Sequence, residues 1–570
     1  MLARLAIACV LFVGTIQAVR FVTADPAARA VYNLGVDTAL YDRLAWQLAE
    51  RPALGVIPPT QPPGFIAFLA VIFRAFGHSY LAAKLSFCVL LASTALLVAI
   101  VAWRVFGQIE AVLASALTIF SPSLVAYAGT LQYEVLAAAA STAVLSLALL
   151  WGPLSVSGRR RLVRAVVLGA AVGVAALIRE VLLLIFPILV LDVLWRSSRD
   201  GRWAAALSIV AAMTLGLAVP VGAWTLAQRQ ATGTWVFLST KSDINLAIGN
   251  NPAANGAFHR QLRPIEEPSG WAYIRQRPAR TAALALRKAG YFWSVLPEPW
   301  SVPTQASVVV SRLLFHTVRY DRLRAGLGIA GALAFLAGAV IVVRRRPAAW
   351  IIPATVAIVM LLHLVYFSSA RFAVPVQPQI HMTIAVALGA MARAALAHRT
   401  AALRTVAIGV VWIVLTRIIQ VGGVYRAEAE GMNGISADNV SDASAGNGTA
   451  RFGAAAGGRR AVVLLAAEAF PRGAFGLGIR ARAAACDRPD LRVAELSVRG
   501  PRDRHMYRQV LTAGDLCGGG YHAASLVGIV RADNILTISV DSLGTSDLWV
   551  DRLEMHFGYR ELRQARQALN

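Results

Sequence analysis

Runs of about 20 apolar residues recur through the first three quarters of the sequence. Each is long enough to cross the ~30 Å hydrocarbon core of a bilayer as an α-helix, a structure that satisfies its own backbone where no water can. About eleven can be counted: near Leu2 to Val22, Tyr80 to Trp103, Ile109 to Tyr127, Glu134 to Trp151, Ala165 to Ile178, Val181 to Trp195, Ala204 to Ala227, Leu323 to Val343, Ala348 to Phe367, Val374 to Met391 and Thr405 to Val424. The first could pass for a signal peptide, but it lacks a small-residue cleavage site before a soluble domain and is read as a span. The expected fold is a polytopic α-helical membrane protein. Composition agrees, since 57% apolar and 15% charged residues, with a mean hydropathy of +0.60, are too greasy for a soluble globular chain. A formal charge of +25 would alone point to nucleic acid. Phosphate-binding surfaces need long solvated stretches that most of this chain lacks, so nucleic acid is excluded as a partner and the lipid bilayer is expected. Only three of the 55 basic residues are lysines, Lys84, Lys241 and Lys288, so each lysine draws attention.

Arginines collect in alternate short loops: Arg159 to Arg164, Arg196 to Arg202, Arg344 to Arg346, and Arg393 to Arg404. Short cytoplasmic loops retain positive charge, which places the N-terminus in the cytoplasm and, with an odd number of spans, the C-terminus outside. Long exterior loops then fall at 23–79 and 228–322 within a membrane module covering 1–425. The first loop carries a charged helical stretch, Asp37 to Glu50, a proline cluster, and the short apolar piece Gly64 to Phe76, which suits a helix lying along the interface.

Residues 426–458, rich in Gly, Ala, Ser, Asn and Asp, read as a flexible linker. Beyond it the apolar period changes from helical to alternating. Leu536, Ile538 and Val540 alternate with polar neighbours, and similar runs lie at Ala461 to Ala467, Leu491 to Val498 and Leu548 to Phe557. Residues 459–570 are therefore expected to form an extracytoplasmic β-sandwich. Cys486 and Cys517 both fall in it, and in an oxidising compartment such a pair is expected to bond.

Four groups of residues could carry chemistry. Asp37 opens the helical stretch of the first loop, where a carboxylate can take a proton from an acceptor hydroxyl; the same position fits a helix N-cap, and local sequence leaves both open. Asp42 should point away from Asp37 and pair with a nearby arginine. Glu134 stands at the exterior end of the fourth run, where an ionisable group either faces a polar cavity or snorkels to water. Arg179 lies on the exterior side against the positive-inside tendency, so it needs an anionic partner: Glu134, Glu180 or a lipid phosphate. Gly249-Asn250-Asn251-Pro252 offers amide donors, or a tight turn.

Five stretches occur in order: Asp37 through Pro62-Pro63-Gly64-Phe65 to Phe73-Arg74-Ala75-Phe76-Gly77; Ser121-Pro122 to Glu134; Ala176-Leu177-Ile178-Arg179; Ser239-Thr240 to Gly249-Asn250-Asn251-Pro252 and Asn255-Gly256; and Ala370-Arg371-Phe372-Ala373-Val374-Pro375-Val376. Together they resemble the GT-C superfamily of polyprenyl-phosphate-sugar glycosyltransferases, which includes protein mannosyltransferases and lipid A aminoarabinose transferases. The resemblance covers about residues 1–425. It implies Asp37 as the catalytic base, Glu134 as a second exterior acid near the acceptor, and Arg179, Lys288 and Arg371, with Lys84 as a further candidate, as holders of the donor phosphate. Asn250 and Asn251 would belong to a substrate loop. Lys241-Ser242-Asp243-Ile244 replaces the glycine-rich stretch that relatives often carry there. The resemblance also implies a bacterial-type inner membrane, and it leaves a divalent metal open as a cofactor. The histidines show no zinc-ligand spacing, so no protein-built structural metal site is expected.

The function implied is inverting transfer of a hexose or pentose from a polyprenyl-phosphate-sugar donor to an extracytoplasmic glycan, lipid or protein acceptor. Competing readings are a transporter or flippase for a lipid-linked saccharide and a non-catalytic glycan-binding assembly protein. A transporter would place ionisable residues near mid-span and show repeated halves, whereas the acids here cluster at run ends.

Overall fold

The computed structural model describes residues 2–24, 35–52, 55, 57–199, 201–252, 254–257, 270–295, 321–397, 423–428, 438–445, 449–470, 473–499, 505–518, 520–530 and 534–557. The chain divides into two compact units, one of helices and one that holds the β-strands together with the first turns of the helix that starts at Asp321.

In the helical unit α1 (Leu2–Ala24) precedes α2 (Gly35–Glu50) and α3 (Pro63–Phe76), which fill the first long loop. Pro63 suits the first turn of α3, where an N–H would be unbonded anyway, and Gly77 ends it at φ 70° and ψ −178°, a positive-φ conformation that favours glycine. Next come α4 (Tyr80–Val105), α5 (Gln108–Ile119), α6 (Pro122–Ala128), α7 (Glu134–Trp151), α8 (Gly158–Ile178), α9 (Ile185–Arg199) and α10 (Trp203–Thr232). The Ser79 hydroxyl caps α4 by accepting from the Ala82 amide at 3.3 Å. Ser121 and Pro122 break what the sequence reads as one span into α5 and α6, bent by 45°. α8 and α10 pack closely because Gly169 and Gly173 on α8 and Gly216 on α10 leave no side chain between the backbones. A Cβ at Gly173 would sit 2.9 Å from the Leu217 carbonyl, the small-residue contact that membrane helices use in place of hydrophobic drive. Then follow α11 (Ser242–Gly249), α12 (Gly270–Gln276), α13 (Pro278–Phe292), α14 (Asp321–Arg345), α15 (Ile351–Val365) and α16 (Gln377–Ala397).

Among the described residues, eight helices are long and apolar enough to cross a membrane, or nine if α5 and α6 form one broken span, against the eleven expected. The difference has two sources. The run at Thr405 to Val424 lies almost wholly outside the described residues. The run at Val374 to Met391 opens as a 3-10 turn, Ala370–Val376, and continues as α16, whose first turns carry Gln377, Gln379 and His381. The 14-residue α3 is too short to span, as its apolar stretch predicts.

The other unit is a β-sandwich. One sheet runs β2 (Asp438–Ser441), β3 (Thr449–Gly453), β10 (Leu548–Phe557), β5 (Gly473–Ala483), β8 (His522–Val530), with β1 (Gly423–Glu428) also paired to β10. The second runs β4 (Arg460–Phe470), β9 (Asn534–Ser542), β6 (Arg492–Arg499), β7 (His505–Thr512). Leu477, Ile479, Leu548 and Val550 of the first sheet share one buried core with Val462, Leu496, Ile538 and Val540 of the second. Strands β1, β2 and β3 fall in or beside the stretch read as linker; β10 and β3 supply their backbone partners, so they need little apolar surface of their own. The Cys486–Cys517 disulfide is present, with Cα atoms 5.5 Å apart, and ties the β5–β6 turn to the turn before β8. Cys9 is exposed and Cys88 buried in their helices.

Candidate functional site

The site lies where the start of α7, the end of α8 and the segment between α15 and α16 converge. Glu134 is the first residue of α7 and has no solvent exposure. Its Oε1 receives the Arg371 Nε–H in an ion pair, and Arg179 Nη1 lies 3.8 Å from the same oxygen. Arg179 ends α8, where the chain leaves the helix with extended backbone, and Arg371 enters the 3-10 turn with its amide bonded to the Ser369 hydroxyl at 3.1 Å. Both guanidiniums sit over the ring of Tyr133, at 4.7 Å and 5.1 Å, and Arg179 also sits over Phe372 at 5.1 Å. Aromatic faces attract the cations, and Glu134 offsets the cost of burying two of them together. The partner that Arg179 requires is thus Glu134.

The first loop is drawn to the same place. Tyr41 of α2 packs edge-on against Phe65 of α3 at 5.3 Å and Tyr133 at 6.0 Å, and Phe65 meets Tyr133 at 6.2 Å. The buried Thr38 accepts from Gln132 Nε2 at 3.4 Å. A Cβ at Gly64 would lie 2.8 Å from both the Leu177 carbonyl and the Ile178 amide, so α3 touches the backbone immediately before Arg179. These contacts set the first turn of α2, in which Asp37 is the third residue, against the Gln132–Glu134 stretch. Asp37 thus falls in the first turn of α2. Among the described residues Asp42 pairs with no arginine: it accepts from the Tyr80 hydroxyl at 3.0 Å and binds His78 at 2.7 Å, fastening α2 to the start of α4.

The other predicted residues sit in two further places. Lys288 of α13 is fully buried; its Nζ donates to Asn250 Oδ1 at 3.2 Å and to the Val365 carbonyl at 3.1 Å. Burial lowers its pKa from the ordinary 10.5 to about 8. Asn250 Nδ2 donates to the carbonyls of Leu246 and Val365 at 2.9 and 2.7 Å, and Asn251 Nδ2 to those of Ala247 and Ile248, so both amides close the end of α11. Val365, which receives Lys288 and Asn250, stands six residues before Arg371, and the two sets of residues are joined through that segment. Lys84 is buried in α4. Among the described residues no three His, Cys, Asp or Glu side chains gather around a common point.

Sequence reading gave no role to Tyr41, Phe65, Tyr133, Phe372 or His363. His363 stacks on Phe372 with ring centroids 4.2 Å apart, extending the aromatic bed under Arg179. The adjacency of Tyr133 to Glu134 and of Phe372 to Arg371 was the available signal.

No family profile and no curated protein matches this chain. Similar solved structures exist. One is the oligosaccharyltransferase AglB from Archaeoglobus fulgidus, solved with an inhibitory peptide and a dolichol-phosphate: 14% identity, TM-score 0.41, covering 69% of this chain and 51% of AglB. The chain thus spans about half the length of that protein. Another is ArnT from Cupriavidus metallidurans bound to undecaprenyl phosphate, with 15% identity and a TM-score of 0.36, covering 66% of this chain and 77% of ArnT. A third is the C-terminal CBM6 of the laminarinase LamC from Zobellia galactanivorans, with 11% identity and a TM-score of 0.18 over 23% of this chain and 98% of that module.

Proposed function

We propose that the chain is a membrane glycosyltransferase that moves a sugar from a polyprenyl-phosphate-sugar donor to an extracytoplasmic glycan, lipid or protein acceptor, with inversion. The observation that carries this reading is the convergence of Arg179 and Arg371 on Glu134 beside the first turn of α2, which bears Asp37. In the step, an acceptor hydroxyl oxygen attacks the anomeric carbon from the face opposite the phosphate. The new C–O bond forms as the bond from the anomeric carbon to the phosphate oxygen breaks. The hydroxyl proton passes to the Asp37 carboxylate, and the phosphate leaves with its electron pair. Arg179 and Arg371 stabilise the negative charge growing on that phosphate through charge-assisted hydrogen bonds. Glu134 holds the two guanidiniums in register and serves as the second acid of the site. Lys288, buried with only neutral oxygens among its named partners, adds a positive charge on the donor's side.

The transporter reading is less well supported, since Glu134 and Arg179 stand at helix ends rather than at mid-span. The test is release of free polyprenyl phosphate by the purified protein given a panel of polyprenyl-phosphate sugars and envelope glycans. Release dependent on an acceptor is expected; movement of intact donor across a vesicle membrane without release would favour transport.

A further inference from the structure

Two polar groups, one near the end of α15 and one in the segment that leads on to Arg371, remain outside the roles given so far. His363 is 8% exposed, and its Nε2 is buried with no hydrogen-bond partner among the described residues. Its Nδ1 lies 3.3 Å from the Phe367 carbonyl, which can only accept, so Nδ1 carries the proton and Nε2 is left as an acceptor. Ser368 is fully buried, and its Oγ also lacks a partner among the described residues. Its amide donates to the Gly256 carbonyl at 2.9 Å, which fixes the position of the hydroxyl. Buried polar atoms are nearly always paired in a folded protein, so orphans beside a site call for a ligand. Glu134 Oε2 likewise has no hydrogen-bond partner among the described residues, and Arg179 Nη1, 3.8 Å from Glu134 Oε1, makes an ion pair there without a hydrogen bond. Phe372 joins the two sets, stacked on His363 at 4.2 Å and lying under Arg179 at 5.1 Å.

The chemistry of these atoms separates them from the arginines. An imidazole nitrogen presenting its lone pair repels a phosphate oxygen but accepts from a hydroxyl, and a serine hydroxyl both donates and accepts. We infer that His363 and Ser368 form a hydroxyl-binding subsite for the sugar of the lipid-linked donor, beside the arginines that hold its phosphate. The sugar is attached directly to that phosphate, so its ring hydroxyls reach the side chains that flank the phosphate's holders. This subsite rests on the transfer reading above.

The test compares binding of bare undecaprenyl phosphate with binding of a panel of undecaprenyl-phosphate pentoses and hexoses to the purified full chain in nanodiscs. Wild type is expected to bind at least one sugar-bearing lipid roughly tenfold or more tightly than the bare lipid. His363→Asn keeps a donor for the Phe367 carbonyl but removes the Nε2 acceptor. It and Ser368→Ala should each shrink that preference to about threefold or less while leaving bare-lipid affinity within about twofold. His363→Gln, which restores a polar atom near Nε2, should recover part of it. Variants that keep the full preference, or that lose both lipids equally, overturn the subsite, as does a wild type with no preference across the panel. A wild type that binds no polyprenyl phosphate in any form overturns the transfer reading together with the subsite.

Discussion

Replacing Glu134 with Gln keeps the shape of the side chain and removes the charge on which two guanidiniums converge. Glu134 has no exposure, while the Arg179 and Arg371 side chains are 7% and 23% exposed. Breaking a buried ion pair from one side costs about 3 to 5 kcal/mol. The water reaching Arg371, and the amide oxygen that still accepts one N–H, reduce this to about 2 to 3 kcal/mol. Denaturant unfolding in detergent should show that loss, and Glu134→Gln combined with Arg371→Gln should cost less than the two single changes added together. A second consequence separates this account from simple destabilisation. Glu134 competes with the donor phosphate for the same guanidiniums, so Glu134→Gln should bind bare polyprenyl phosphate about tenfold more tightly, equivalent to ~1.4 kcal/mol. At a lipid concentration of about 100 times the wild-type Kd, the lipid should stabilise wild type by about 2.7 kcal/mol and the variant by about 4.1 kcal/mol. A variant as stable as wild type, or one that binds the lipid more weakly, would refute the idea that Glu134 holds these arginines for the phosphate.

Gly64→Ala places a Cβ 2.8 Å from backbone atoms of Leu177 and Ile178, which cannot yield as a flexible side chain would. It should cost about 1 to 3 kcal/mol of stability and lower transfer by moving α3 away from Arg179, as measured by unfolding and turnover. Lys288 carries its charge below pH 8 and loses it above, so affinity for a phosphodiester donor, itself ionised throughout, should fall as pH rises from 7 to 9.5. Lys288→Arg should abolish that fall. Because the unfolded chain keeps this proton up to about pH 10.5, the contribution of Lys288 to stability should rise between pH 8 and 10.5, as unfolding at the two pH values checks. Cys486→Ser with Cys517→Ser opens a loop of 31 residues and should destabilise the β-sandwich by about 3 to 4 kcal/mol, read by unfolding with and without reductant.

Features that depend on local periodicity were legible in the sequence. Apolar runs located α1, α4 and α7 to α10, and alternation located β4, β6, β9 and β10 to within a few residues. Strand β5 was missed because its glycines and arginines, in Gly473-Ala474-Phe475-Gly476-Leu477-Gly478-Ile479-Arg480, blur the alternation. Strands β2 and β3 were missed because what orders them is a backbone ladder, β3 to β10 about 100 positions later and β2 to β3 in turn, rather than apolar surface of their own. The charged part of the site could be read because a glutamate and an arginine at the ends of apolar runs are each costly without a partner. The rings under those charges, Tyr133 and Phe372, and the rings packed on Tyr133, Tyr41 and Phe65, could not be read, since an aromatic residue in an apolar run looks the same whether it lies under a guanidinium or under lipid.

The proposed mechanism makes Asp37 the base of a phosphate-sugar transferase whose phosphate is held by Arg179 and Arg371. Purified Asp37→Asn protein, given the donor and acceptor that support wild-type release of polyprenyl phosphate, tests it most directly. Donor affinity should stay within about twofold of wild type and turnover should fall by about 100-fold or more, because the substitution keeps the shape of the side chain and removes the proton acceptor. Turnover near the wild-type rate in Asp37→Asn, with Glu134→Gln inactive in the same assay, would contradict it and move the base to Glu134.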